Sequence, residues 1–256
     1  MKPRALVLQA TGTNRDHDAA LAIELAGGAP EIVHLNQLRR REKRWSDYQM
    51  LVLPGGFSYA DALGAGRLLA LDLTVYFAGE VRTFVDSGRP VIGICNGFQA
   101  LVKAGILPGS GGLRRVSLTF NSGGCFECRW VTLLPTSRAC IWTRGLEQMI
   151  TCPVAHGEGN FTVSETNILE TLDAQEQVAL RYVRPDGTRP EGEYPFNPNG
   201  SAGDIAGICN PQGNVLGLMP HPENHVFAYQ NPDKRTPAQG SGLALFANGV
   251  AYAGQI

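Results

Sequence analysis

The sequence predicts an α/β protein built on one mostly parallel sheet with helices on both faces. Three observations carry this. Short apolar runs of strand length end in glycine-rich turns, several of those turns lead into stretches with helical spacing, and 256 residues that are 43% hydrophobic are enough to bury one large core. Strand, helix and strand in succession are the pattern of a parallel sheet covered on both sides. No repeat and no linker divides the chain, so residues 1–256 read as one domain.

The first strand is ALVLQ at residues 5–9. A Thr/Gly/Asn turn follows, and then DHDAALAIELAGG, whose Ala, Leu and Ile spacing fits a helix ended by Gly27 and Gly28. MLVLPGG at 50–56 reads as a buried strand stopped by Pro54 and a glycine pair. RPVIGIC at 89–95 is a third strand, and GFQALVKAGILPG at 97–109 a helix closed by Gly105 and Pro108. The middle of the chain changes character. GCFECRWVTLLPT and EQVALRYVRP look like strands of a more antiparallel region with fewer helices between them. The Pro/Gly-rich stretch at 184–204 reads as an ordered surface loop. DIAGICNPQGNVLGLMPHPE is a hairpin turned at 210–213, and GSGLALFANGVAYAG at 240–254 is the closing helix.

Charge narrows the partners. A formal net charge of -1 lacks the concentrated basic surface that nucleic acid or an anionic membrane demands. The one basic run, LRRREKRW at 38–45, fits a solvated loop or helix face. ALVLQ is too short for a signal-peptide core or a membrane span, which places the expected location in the cytoplasm. Cysteines at 95, 125, 128, 140, 152 and 209 form no compact framework and would persist there as thiols.

One of them stands apart. Val91, Ile92 and Ile94 lead into Cys95, with Gly93 at −2 and Gly97 at +2. Gly-x-Cys-x-Gly has the form of a nucleophile elbow, a sharp strand-to-helix turn that aims helix amides and a positive dipole end at the sulfur. A buried structural thiol at a strand end is the alternative. A thiolate nucleophile also needs a base and an orienting group. In LGLMPHPENH the two prolines favour extended neighbours, so His221 and Glu223, two apart, would share a face. His225 would join them if the strand continued, giving three metal ligands, but a metal leaves the Cys95 elbow unexplained. CFEC at 125–128 matches a Cys-x-x-Cys motif, yet in a strand its thiols face opposite ways and no second pair follows. Gly55 and Gly56 form an exposed turn; with the amide of Asn96 it would make a two-donor oxyanion hole.

GICNGFQ together with MPHPE resembles the class I, or triad, glutamine amidotransferases. LPGGFSYAD, FECRW, AHGEGNF and NPNGSAGDIAGICNPQGNVLGLMPHPE are similar to members of that family that serve as separate glutaminase subunits in purine biosynthesis. The likeness runs from about residue 4 to residue 223. It implies a flavodoxin-like fold in which Cys95 attacks the side-chain amide of L-glutamine, giving a glutamyl thioester and ammonia. His221 would carry protons, Glu223 would orient it, Gly56 and Asn96 would hold the oxyanion, and Gln99 and Gly55 would bind glutamine. It further implies a large ATP-dependent synthetase subunit as partner and allows for a small bridging subunit. ATP and Mg²⁺ would sit on that partner, with no cofactor and no metal in this chain, in keeping with the lack of a G-x-x-x-x-G-K-[ST] loop. Two features depart from the family. Arg15 stands where many members carry a cysteine, and the tail at 224–242 is long. A free-standing cysteine hydrolase acting on γ-glutamyl substrates, or a non-catalytic regulatory module, are the other readings. The motifs beyond the triad speak against the first, and the intact triad against the second.

Overall fold

The computed structural model describes residues 1–109, 115–232 and 241–256. Its strands are β1 (Arg4–Gln9), β2 (Ala29–His34), β3 (Met50–Leu53), β4 (Val91–Ile94), β5 (Val116–Thr119), β6 (Glu127–Pro135), β7 (Ile150–His156), β8 (Asn160–Val163), β9 (Val178–Val183), β10 (Ile205–Cys209) and β11 (Val215–Leu218). The helices are α1 (Asp16–Leu25), α2 (Leu35–Arg39), α3 (Arg67–Leu71), α4 (Ala78–Asp86), α5 (Asn96–Lys103), α6 (Asn167–Ala174) and α7 (Leu243–Ala253).

Nine strands form one sheet in the order β2-β1-β3-β4-β11-β10-β9-β6-β7, and β5 pairs with β8 apart from it. The half from β2 to β11 is parallel, and from β11 onward every pairing is antiparallel. The parallel strands β3, β4 and β11 are buried at every position, which is why they read as unbroken apolar runs. β10 and β11 make the expected hairpin. β2 was not legible in the sequence: of its six residues only Val33 is fully buried, so edge strand APEIVH shows no apolar run.

Helices flank the sheet in two groups. α1 and α7 pack together against β1, β2 and β3, while α3 and α5 pack together over β3, β4 and β11. The approach of α5 is unusually close and rests on glycines. A Cβ at Gly97 would lie 2.0 Å from the Leu53 carbonyl oxygen, and one at Gly217 would lie 2.1 Å from the Phe98 ring. One at Gly93 would meet Leu101 at 2.5 Å.

Two loops differ in depth from their expected roles. Residues 197–204 are not surface: Asn197, Asn199, Ser201 and Asp204 are all buried. Their side chains replace water, as Asn197 accepts from the amides of Gly200 (3.0 Å) and Ser201 (3.1 Å) and donates to Asp204 Oδ1 (2.9 Å). In the basic run, Arg39 pairs with buried Asp72, Lys43 with Glu31, and Trp45 is buried, so the stretch is partly committed to the fold. The expected closing helix is α7. Residues 233–240 of the tail lie outside the described residues. Among the described residues no helix is long and apolar enough to cross a membrane.

Gly97→Ala is expected to cost about 2–3 kcal/mol, because the added methyl meets backbone that cannot yield. Gly79→Ala, in α4 with nothing within 4 Å of its Cβ position, should be neutral or slightly stabilising. Urea unfolding of the two variants checks the difference.

Candidate active site

β4 and α5 meet at Cys95, whose backbone is bent to φ +50° and ψ −103°. A non-glycine residue held this way costs about 1–3 kcal/mol and persists only where its surroundings over-determine it. Here they do. The Cys95 amide donates to the Leu218 carbonyl at 2.8 Å, tying the turn to the end of β11, and its carbonyl accepts from the Gln99 amide at 3.0 Å. The thiol is buried and lies 3.7 Å from the Ala155 carbonyl of β7.

Just past β11, the amide of His221 donates to the Pro153 carbonyl at 2.8 Å. Nδ1 of its ring sits 2.6 Å from Glu223 Oε1, and both side chains are buried. The expected contact is present but the expected backbone is not. Pro222–Asn224 forms a 3₁₀ turn, which folds Glu223 back onto the ring; proline at its first position presets φ for that turn. The His221 ring is also close enough to Cys95 for the sulfur to bear on its charge. Burial by itself would lower the His221 pKa. The negative charge of Glu223 and of the Cys95 sulfur outweighs it, holding the imidazole well above its ordinary value.

Gly55 has a packing role that its sequence position did not reveal. A Cβ there would lie 2.6 Å from His221 Cε1, so the glycine makes room for the ring. The turn is also less free than two adjacent glycines suggest. Gly55 O accepts from the Arg15 amide at 3.2 Å, the Phe57 amide donates to Gly12 O at 3.0 Å, and Gly56 stands at φ +142°. With the Gly55 carbonyl turned to Arg15, the Gly56 N–H of that peptide faces the other way. Asn96 opens α5, so its amide has no partner four residues back. Arg15 itself pairs with Asp18 (3.0 Å), which accepts from Asn224 at 3.1 Å, linking the loop before α1 to the turn after His221.

A cavity of about 170 Å³ is lined by Cys95, Gly56, Gln99, Asp61, His156 and Glu158, with Phe57, Phe120 and Phe126 at its edge. That is below the roughly 300–1,000 Å³ of drug-sized pockets and suits one amino-acid-sized molecule. Gln99 lines it with both amide ends engaged: Nε2 donates to the Glu158 carbonyl (2.7 Å) and Oε1 accepts from Asn96 (3.1 Å). Its hold on a ligand therefore runs through the 157–159 segment. The other two sequence motifs do not converge here. His225 turns away to the Thr151 carbonyl and stands edge-on to Trp130, 5.2 Å between centroids. No group of three His, Cys, Asp or Glu able to hold a metal exists among the described residues. Cys125 and Cys128 are exposed free thiols.

Asp61, His156 and Glu158 also line the cavity; they lie within LPGGFSYAD and AHGEGNF, but no local spacing marks them as site residues. His156 is the most constrained of them. Asn121 Nδ2 donates to the carbonyls of Cys125 (2.9 Å) and His156 (2.8 Å), so its Oδ1 is the acceptor for Gly159 N–H (2.9 Å) and for His156 Nδ1 (3.1 Å). His156 Nδ1 accordingly carries the proton and Nε2 a lone pair, which is buried and has no partner. Burial, with the nearby His221 charge, pushes its pKa down to about 3.

The pattern of a CobB/CobQ-like glutamine amidotransferase domain matches residues 2–253. The chain is 59% identical to phosphoribosylformylglycinamidine synthase subunit PurQ of Treponema denticola, covering 88% of this chain and 89% of that one. It is 42% identical to the subunit of the same name from Dehalococcoides mccartyi, covering 100% and 99%. In three dimensions it is similar to a chain in the structure of PurLQS from Thermotoga maritima, at a TM-score of 0.76 and 33% identity over 98% and 99% of the two chains.

His156 allows the electrostatics of the site to be tested without any reaction. Its folded pKa, about 3, lies below the 6.5 of an unfolded histidine. Below pH 6.5 the unfolded chain therefore binds a proton that the native chain does not. Stability should fall by about 1.4 kcal/mol per pH unit from this group as pH drops from 6.5 towards 3. In His156→Gln that acid slope should be shallower by one proton, as read from urea unfolding at pH 7, 6 and 5.

Proposed function

We infer that this chain, which belongs to the CobB/CobQ-like glutamine amidotransferases, is the glutaminase subunit of a phosphoribosylformylglycinamidine synthase in purine biosynthesis. The observation that carries the chemistry is the meeting of a buried thiol, an imidazole and a carboxylate beside a cavity of amino-acid size. The strong identity to PurQ subunits supports the choice of pathway. Residues 1–256 act as one amidotransferase domain, in the cytoplasm.

The Cys95 thiol gives its proton to His221 as Sγ attacks the carboxamide carbon of L-glutamine, and the carbonyl π pair moves onto oxygen. The Gly56 and Asn96 amides hold that oxyanion. Collapse of the tetrahedral species breaks the C–N bond as His221 gives a proton to the leaving nitrogen, releasing ammonia and leaving a glutamyl thioester. His221 then takes a proton from the water that attacks the thioester; collapse breaks the C–S bond, and His221 returns the proton to sulfur, giving glutamate and the free thiol. Glu223 fixes the tautomer of His221 through Nδ1 and offsets its charge. Ammonia passes to the large synthetase subunit, where ATP and Mg²⁺ drive amidine formation; PurLQS of Thermotoga maritima is an assembly of this kind of chain with others.

Partner control has a physical lever. A glutaminase running without its synthetase wastes glutamine, and one lost oxyanion donor costs roughly 10²–10³ in rate. The peptide between Gly55 and Gly56 is held by loop 12–15, so movement of that loop decides where the Gly56 N–H points.

Cys95→Ala should lower glutamate release by about 10⁴-fold or more, His221→Ala nearly as much and Glu223→Gln less. Ammonia-dependent synthesis by the partner should survive in all three. Retention of a tenth of the activity in Cys95→Ala would dismiss the triad. The lone chain should be a weak glutaminase stimulated by the complex with substrate and nucleotide bound. Equal turnover of lone chain and complex at saturating glutamine would favour the free-standing hydrolase.

A further inference from the structure

We propose that Asp61 selects the amino-acid end of the amide donor, its carboxylate taking the α-ammonium of glutamine in the Cys95 cavity. The assignment rests on the glutaminase reading above and adds a specificity residue to it. The backbone supplies the first reason. Tyr59, Ala60 and Asp61 are three consecutive non-glycine residues at φ +56°, +54° and +52°. L-residues avoid this conformation on steric grounds, so three in succession persist only where their surroundings over-determine them.

What holds that turn is the residue next to the nucleophile. Asn96 Oδ1 accepts from the amide (3.2 Å) and hydroxyl (2.5 Å) of Ser58, while Nδ2 donates to Asp61 Oδ1 (2.9 Å) and Gln99 Oε1 (3.1 Å). Asn96 thus follows Cys95 in the chain and also positions the Asp61 carboxylate. The distance from thiol to carboxylate is set by one buried side chain.

The second reason is the balance of donors and acceptors. Among the described residues no lysine or arginine lines the cavity. The Gln99 amide is spent, and Glu158 is offset by Lys103 at 3.7 Å and by the Ala65 amide at 3.4 Å. Among the described residues Asp61 is hydrogen-bonded by the neutral donors of Asn96 and the Gly66 backbone; burial raises its pKa above the ordinary value, and the smaller pull of the Lys103 charge does not cancel that. His156 Nε2, on a side chain only 3% exposed and lining the same cavity, is an acceptor without a donor. Spare acceptor capacity on Asp61 and His156, with no cation among the described lining residues, suits a ligand group that is positive and entirely donor, which a primary ammonium is.

The test compares L-glutamine with glutaramate, the same carboxamide bearing hydrogen in place of the α-ammonium. Ammonia release is measured for the full chain with its synthetase partner, as wild type and as Asp61→Asn. Asparagine tolerates the left-handed conformation and keeps the oxygen that Asn96 grips. In Asp61→Asn, kcat/KM for glutamine should fall about 10- to 100-fold, chiefly through KM, while that for glutaramate changes less than about threefold. A turn that merely collapsed would slow both substrates alike, and that outcome, or no change with either, overturns the assignment. If the wild type releases ammonia from neither substrate, the glutaminase reading falls and takes this assignment with it.

Discussion

The close approach of helix α5 to strands β3 and β4 is the constraint on which the rest of the site depends. Side-chain-free positions at Gly93 and Gly97 let the helix axis run nearer the sheet than any methyl would allow. Only from that position can the first turn of α5 start immediately after β4, which forces Cys95 into its left-handed conformation. The strain is offset by hydrogen bonds to both sides of the turn, one to β11 and one within α5. The same geometry leaves the Asn96 amide at a helix start, where no backbone acceptor competes for it. A sulfur at the positive end of a helix and an unspent amide beside it are therefore consequences of one packing decision.

Two buried imidazoles near this turn show how a partner decides the charge of a group. His221 and His156 are each 3% exposed, and burial penalises the cation of both. His221 has a carboxylate at Nδ1 and the Cys95 sulfur nearby, and its pKa rises. His156 has a carboxamide at Nδ1, from Asn121, and its pKa falls to about 3. An amide can orient a ring as well as a carboxylate can, but it cannot compensate a charge. One ring is thus equipped to shuttle protons while its neighbour stays a neutral acceptor. Gly159 seals the second arrangement, since a Cβ there would lie 2.2 Å from the His156 ring.

The parts of the site legible in the sequence were the local ones. Cys95, Gly93 and Gly97 lie within five residues, and His221 and Glu223 are two apart, so their meeting needed only short-range rules. Even there the two prolines suggest an extended strand, whereas a 3₁₀ turn makes the contact. Asp61 and His156 were beyond such rules, because what positions them comes from 35 residues away in each case, Asn96 for the first and Asn121 for the second. Composition also misjudged depth. Residues 197–204 carry turn-forming Pro, Gly and Asn, which report how the backbone bends and say nothing of whether polar side chains are burying it. In the sheet, β4 and β11 announced themselves as continuous apolar runs, whereas β2, half-buried at the edge, gave no periodic signal.

The account stands on Cys95 as the nucleophile, and covalent trapping tests that most directly. A γ-electrophilic glutamine analogue, such as 6-diazo-5-oxonorleucine, can be incubated with the protein and the adduct located by peptide mass mapping. Accessibility alone would favour Cys125 and Cys128, which are exposed, over Cys95, which is buried. The account predicts one adduct per chain, on Cys95, suppressed by excess L-glutamine and strongly slowed in His221→Ala. Labelling of Cys125 or Cys128 with Cys95 unmodified would contradict it.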